Sequence, residues 1–209
     1  MIRPLLVTAI LLFSLSSLLA QIKAVTNKGD KVILFNDGTW EYEDKKIVEW
    51  DKIPLNKEKF EKDKKQDFLI ESTRAKVGIW LDATKWAFEK SSEEESEYSF
   101  QLKEEDLYAM MISEKVEIPL ENLKDIVLQN AKAVAPNAKI TKQEFRVVNG
   151  QKILQLKMEG TTSGMNFVYL GYYLSDESGT VQLITYTSSN LFDTYENDME
   201  RFLNGLVSL

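Results

Sequence analysis

The chain has 209 residues, with 33 Asp and Glu against 26 Lys and Arg, a net charge of −7, and neither cysteine nor histidine. Those two absences exclude disulfides, a thiolate nucleophile, a Ser-His-Asp triad and an ordinary zinc or copper site. An acidic chain is repelled by nucleic acid and by anionic lipid headgroups, so neither is expected as a partner.

The N-terminus reads MIRPLLVTAILLFSLSSLLAQ, with Arg3 ahead of an apolar core over residues 5–19 and the small residue Ala20 at its end. This is the pattern of a secretory signal peptide over residues 1–20, too short in its core for a spanning helix. Cleavage there leaves 189 residues with a net charge of −8, and periplasmic or secreted localisation is expected. With no cysteine, no lipid can be attached at a mature N-terminal thiol. No membrane span is expected after cleavage.

Residues 21–43 predict a small β-hairpin module. In KVILF and TWEYE the residues alternate, and Trp40 and Tyr42 share one face. Asn36-Asp37-Gly38 between them fits either a type I turn with a bulge at Gly38 or an Asp37-Gly38 type I′ pair. Two strands alone are marginal in water, so a third is expected around IKAVT at residues 22–26. The string Gly29, Val32, Leu34, Asp37, Gly38, Thr39, Trp40 and Tyr42 resembles a DGTW-type motif found near the mature N-terminus of secreted bacterial proteins. That resemblance implies a β module and no activity.

Charge dominates residues 44–66, which predict a solvated linker, helical over 57–66 through Glu/Lys pairs four residues apart, with a charged partner-binding arm as the other reading. Apolar density rises in residues 67–209, which predict one α+β domain. FLIEST, KVGIWL and EYSFQL read as strands, and LYAMMI is apolar on both faces and therefore central. From Pro119 the apolar residues Leu120, Leu123, Ile126, Val127, Ala131 and Val134 recur at helical spacing. QEFRVV and QKILQLKM flank Asn149-Gly150, the strongest two-residue hairpin signal. Turns at Ser163-Gly164 and at residues 176–179 then carry the chain through NFVYLGYYL and VQLITYT. Asp193 and Glu196 resemble a capping box ahead of a closing helix with Tyr195, Met199, Phe202, Leu203 and Leu206 on one stripe.

The expected fold is therefore α+β: an antiparallel sheet with a four-strand meander, covered on both faces by two amphipathic helices, with the small hairpin added. The residues GIWLDATKW, the helix from Pro119, the VVNGQKILQLKM hairpin, FVYLGYYL and the closing FLNGLVSL resemble the PsbP-like fold, including its bacterial periplasmic DcrB-like branch, over residues 76–209. That resemblance implies a binding, assembly or chaperone-like protein rather than an enzyme.

Candidate sites follow from composition. The acidic runs at 93–95 with Glu97, and at 104–106, lack the alternating ligands and glycine turn of a calcium loop and read as solvated connections. The methionines at 110, 111, 158, 165 and 199 read as core fillers. Trp80, Trp86, Tyr169, Tyr172 and Tyr173 read as core, with a glycan or lipid pocket as the alternative. No catalytic residue, cofactor or metal ligand is assigned. Trp40 and Tyr42 are the candidate binding residues, for a protein partner; the alternative function is carriage of a small apolar ligand between sheet and helix.

Overall fold

The computed structural model describes residues 22–25, 31–34, 40–42, 53–91 and 96–209. The chain divides into two units, Met1–Lys52 and Ile53–Leu209. The signal segment and the turn at residues 36–38 lie outside the described residues.

In the first unit β1 (Ile22–Val25), β2 (Lys31–Leu34) and β3 (Trp40–Tyr42) form an antiparallel sheet in the order β1-β2-β3. The pairing Leu34↔Trp40 and Val32↔Tyr42 is the hairpin, and Ile22↔Leu34 adds the expected third strand.

The second unit is built on an eight-stranded sheet. Its strands are β4 (Leu55–Phe60), β7 (Trp86–Lys90), β8 (Tyr98–Leu102), β9 (Tyr108–Glu114), β10 (Lys139–Val148), β11 (Gln151–Thr162), β12 (Met165–Asp176) and β13 (Gly179–Ser188). They lie in the order β4-β10-β11-β12-β13-β9-β8-β7. A second sheet, β14-β6-β5, is made by β5 (Phe68–Glu71), β6 (Val77–Leu81) and β14 (Leu206–Ser208).

The meander stands as β10 to β13, each strand antiparallel to the next. Its first turn has Asn149 at φ +47° and Gly150 at φ +85°, the two left-handed residues that a type I′ turn requires. The sheet is nevertheless larger than four strands and is mixed, because β4 joins β10 in parallel. This corrects the linker expectation for residues 55–66. The Phe145 N–H donates to the Pro54 carbonyl and that of Asn149 to Phe60, so the charged segment is held by backbone hydrogen bonds that need no apolar side chains. Gln66, at the end of the charged run, is buried. Its amide donates to the carbonyls of Trp80 and Arg201, and its oxygen accepts from the Asp63 N–H.

The sheet separates two cores, and β12 shows why. Val168, Leu170, Tyr172 and Leu174 enter one core while Tyr169 and Tyr173 enter the other, as period-two alternation requires. On the first face lie α2 (Phe192–Leu203) and the small sheet, contributing Ile79, Leu81, Met199, Phe202, Leu203 and Leu206. On the second face α1 (Leu120–Val134) packs Leu123 and Val127 on Phe145, Leu154, Leu156 and Tyr173. Both expected helices form and cover opposite faces, but α2 ends at Leu203, and Leu206 lies in β14 and not on the helix stripe. The capping box does not form: a 3-10 turn at Ser189–Leu191 runs straight into α2, and the Leu191 cap position is already helical in backbone. No helix among the described residues is long and apolar enough to cross a membrane.

Candidate functional site

A helix with its side chains is about 10–12 Å wide, and strands are spaced about 4.8 Å apart, so one helix covers two or three strands. α1 packs on β11 and β12, whereas the same face continues across β13, β9, β8 and β7. Among the described residues, Ile184 on β13 and Met110 and Ile112 on β9 still pack against the α1 cluster, and the face beyond them is half-buried to exposed. It carries Tyr169, Tyr186 and Tyr108 side by side, because the register pairs Tyr169 with Tyr186 and Tyr186 with Tyr108. Directly opposed side chains on one sheet face touch. The Tyr108 and Tyr186 rings are stacked, with centroids 5.6 Å apart and planes 22° apart; Tyr169 follows at 5.8 Å and Phe167 at 6.4 Å. All four are half-buried. Burial raises the Tyr169 phenol above its ordinary value, so it stays a neutral donor.

The same row continues from Tyr108 to Gln101 on β8 and Ala87 on β7. There the residues become short, and a hollow of about 340 Å³ opens beside Tyr108, lined also by Tyr186, Ser99 and Glu89. Glu89 is exposed, and its carboxylate has no hydrogen-bond or ion-pair partner among the described residues. The arrangement offers an aromatic wall, small polar groups and one carboxylate. Among the described residues lining it there is no paired acid and base.

Trp80, Trp86, Tyr169, Tyr172 and Tyr173 do not converge on one pocket. Trp86 packs tilted against Phe202 with ring centroids 4.2 Å apart, Trp80 has Lys62 Nζ over its ring, and Tyr172 and Tyr173 are fully buried in opposite cores. The core reading holds for Trp86, Tyr172 and Tyr173. Tyr169 instead joins the half-buried row. Sequence reasoning missed Tyr108 and Tyr186, whose only signal was their place on apolar strands, Tyr186 on β13 beside β12 and Tyr108 on β9 beyond it. Trp40 and Tyr42, the candidate binding residues, lie two positions apart on β3.

Two polar clusters are structural. Arg146, its side chain 3% exposed, donates Nε to Glu144 Oε1, Nη1 to the Tyr172 hydroxyl at 2.9 Å and Nη2 to Glu200 Oε1 at 3.0 Å. Its guanidinium also lies 4.2 Å from the Phe60 ring centroid. Burial raises the Glu144 carboxyl, but hydrogen bonds from Arg146 and Asn56 and the charges of Arg146 and Lys142 outweigh it and hold the group below its ordinary value. Burial pushes the Tyr172 phenol up to about 12 against the opposing pull of Arg146. Glu97 corrects the solvated-connection reading at its position. It is buried and accepts from the Ser72 hydroxyl and from the Thr73 hydroxyl and N–H, donors that outweigh desolvation and keep it ionised. In the second acidic run Glu105 accepts from the Tyr195 hydroxyl at 2.6 Å, tying α2 to the β8–β9 turn. Residues 93–95 lie outside the described residues. Among those described, no three carboxylates gather as a metal site.

No protein-family model matches the sequence, nor does any curated protein. Among solved structures the chain is similar to cyanobacterial PsbP (CyanoP) from Synechocystis sp. PCC 6803, with a TM-score of 0.52 and 10% identity over 68% of this chain and 92% of that one. It is also similar to PA94 from Pseudomonas aeruginosa, a protein of unknown function described as a putative regulator (TM-score 0.44, 12% identity, 68% and 96% covered). A third similar structure is LpqN, involved in cell envelope biogenesis of Mycobacterium tuberculosis (TM-score 0.43, 11% identity, 67% and 88% covered). At such identities the likeness is one of fold, and the fold is PsbP-like.

Proposed function

From a PsbP-like fold with a row of half-buried tyrosines on one sheet face, we propose that the chain is an exported, non-enzymatic module that binds another envelope or secreted protein. The observation that carries this reading is the row Tyr169–Tyr186–Tyr108 with the hollow beside it. Half-buried aromatic side chains on a sheet face are efficient anchors, since they bury much area for few rotatable bonds. Export is supported by the charged and apolar N-terminal segment, and a non-catalytic role by the lack of the side chains that most readily exchange protons near neutral pH. The three-stranded first unit, with Trp40 and Tyr42, supplies a second contact. A carrier of a small apolar ligand is the alternative. It is less favoured, because Leu123, Val127, Leu154, Leu156 and Tyr173 pack together between α1 and the sheet, and the hollow lies elsewhere.

The test is cross-linked co-purification of the mature chain from the exported fraction, with the partner identified and its binding repeated from purified components. The Tyr108→Ser/Tyr186→Ser double variant is expected to lose the partner with its thermal midpoint little changed, and Trp40→Ala/Tyr42→Ala to weaken it. A partner held equally by the tyrosine variant, or a stoichiometric lipid in place of a protein, refutes the reading.

A further inference from the structure

The hollow at the end of the tyrosine row discriminates between occupants, because of Glu89. An apolar group seated there would strip water from an unpartnered carboxylate and give it nothing in return. An anion would meet Glu89 within a chain of net charge −7, and three more glutamates follow at 93–95 in the connection to β8. A cation gains on both counts. The Tyr108 ring has Tyr186 stacked on one face and lines the hollow where the row shortens to Gln101 and Ala87. An aromatic face attracts a cation, and a planar one best, since it lies flat on the ring. Ser99 and Gln101 also line the space, and their side-chain oxygens are acceptors for a multidentate donor. Lys103, which shares this face, is turned away, its ammonium bound to the carbonyls of Ala83 and Thr84. Glu89 is therefore the one formal charge lining the hollow.

We infer that the hollow receives an arginine side chain of the partner polypeptide, its guanidinium lying against Tyr108 and pairing with Glu89. This inference rests on the reading of the tyrosine face as a protein-binding surface and names the chemistry that face selects. About 340 Å³ accommodates one long side chain but not a helix or a folded loop. The rest of the contact then falls on the tyrosine row, which anchors the partner while the arginine sets its register.

The experiment is a heteronuclear NMR titration of the full mature chain with the tripeptide acetyl-Gly-Arg-Gly-amide and with its citrulline counterpart, which keeps shape and planarity but carries no charge. The arginine peptide is expected to shift the Ala87, Ser99, Gln101 and Tyr108 amides selectively, with the citrulline peptide giving little response. Glu89→Gln and Tyr108→Leu are each expected to weaken the arginine peptide about threefold to fivefold, the range of an exposed ion pair or cation–π contact. An equal response to citrulline, an affinity unchanged in Glu89→Gln, or shifts spread over the acidic surface each overturn the inference. Free arginine amide binding as tightly as the tripeptide makes the occupant a small cation and overturns it too. If the co-purified partner is lost in the tyrosine variant while the arginine peptide gives no response, the protein-binding reading stands and this inference alone falls.

Discussion

Replacing Arg146 by methionine keeps much of the side chain's length and removes its charge. The guanidinium holds three partners, and each is affected differently. The Tyr172 hydroxyl still donates to Asn204 at 2.8 Å. Glu200, 35% exposed, can turn to water. Glu144 is only 12% exposed and keeps the Asn56 amide at 3.2 Å and the more distant Lys142 at 3.7 Å. Breaking a buried ion pair on one side costs about 3–5 kcal/mol, because the remaining charge is stranded. With two of three partners otherwise satisfied, Arg146→Met is expected to cost about 3 kcal/mol near neutral pH. The pH dependence identifies the cause. In the native chain Glu144 is held below its ordinary value, so its contribution is present above the unfolded carboxylate value and is lost as pH falls through the folded one. In the variant the buried carboxylate has lost its main compensation and its value rises, so protonation relieves the defect. The stability difference between native chain and variant, measured by urea unfolding at about pH 7 and about pH 4, should therefore shrink at the lower pH. Subtracting the two chains cancels the common contributions of Glu97 and Asp82. A loss below about 1 kcal/mol at neutral pH, or a difference that grows on acidification, refutes this account of the cluster.

Two glycines are expected to resist substitution for different reasons. At Gly171 a Cβ would lie 2.8–3.0 Å from the Tyr173 ring, which is fully buried and has nowhere to move, so Gly171→Ala should lower the urea midpoint by an overpacking cost of about 1–3 kcal/mol. At Gly150 there is open space but φ is +85°, so Gly150→Val should cost about 1 kcal/mol or more from backbone strain alone, and an unchanged midpoint would mean the turn tolerates a β-branched residue.

The elements whose evidence is local were legible. Asn149-Gly150 announces its turn because two consecutive left-handed residues are tolerated by few side chains, and α1 announces itself because a helix on a sheet must show one apolar stripe. Asn149 also does what no turn rule reports. Its amide donates to the carbonyls of Asn204 and Leu206 and its oxygen accepts from the Lys62 N–H, joining the hairpin to the ends of α2 and β4. β4 was hidden because LNKEKF is an edge strand whose four central residues are all polar or charged, and Glu/Lys spacing of that kind suits a solvated helix equally well. β14 was hidden because three residues are too few to show a period.

By itself the sequence determined where the meander turns, that one amphipathic helix follows Pro119 and another lies near the C-terminus, and that chemistry depending on histidine or cysteine is excluded. Periodicity, turn geometry and side-chain inventory settle these within a few residues of each position. The strand order decided the rest. Tyr108, Tyr169 and Tyr186 lie on three strands whose sequence order is β9, β12, β13, yet β13 stands between the other two, so the rings form one row only after the sheet is assembled. Whether that row is covered depends on where α1 lands. A helix wide enough for two or three strands packs over β11 and β12, and the alternation that makes a strand apolar on a given face does not record which neighbour, if any, will cover it.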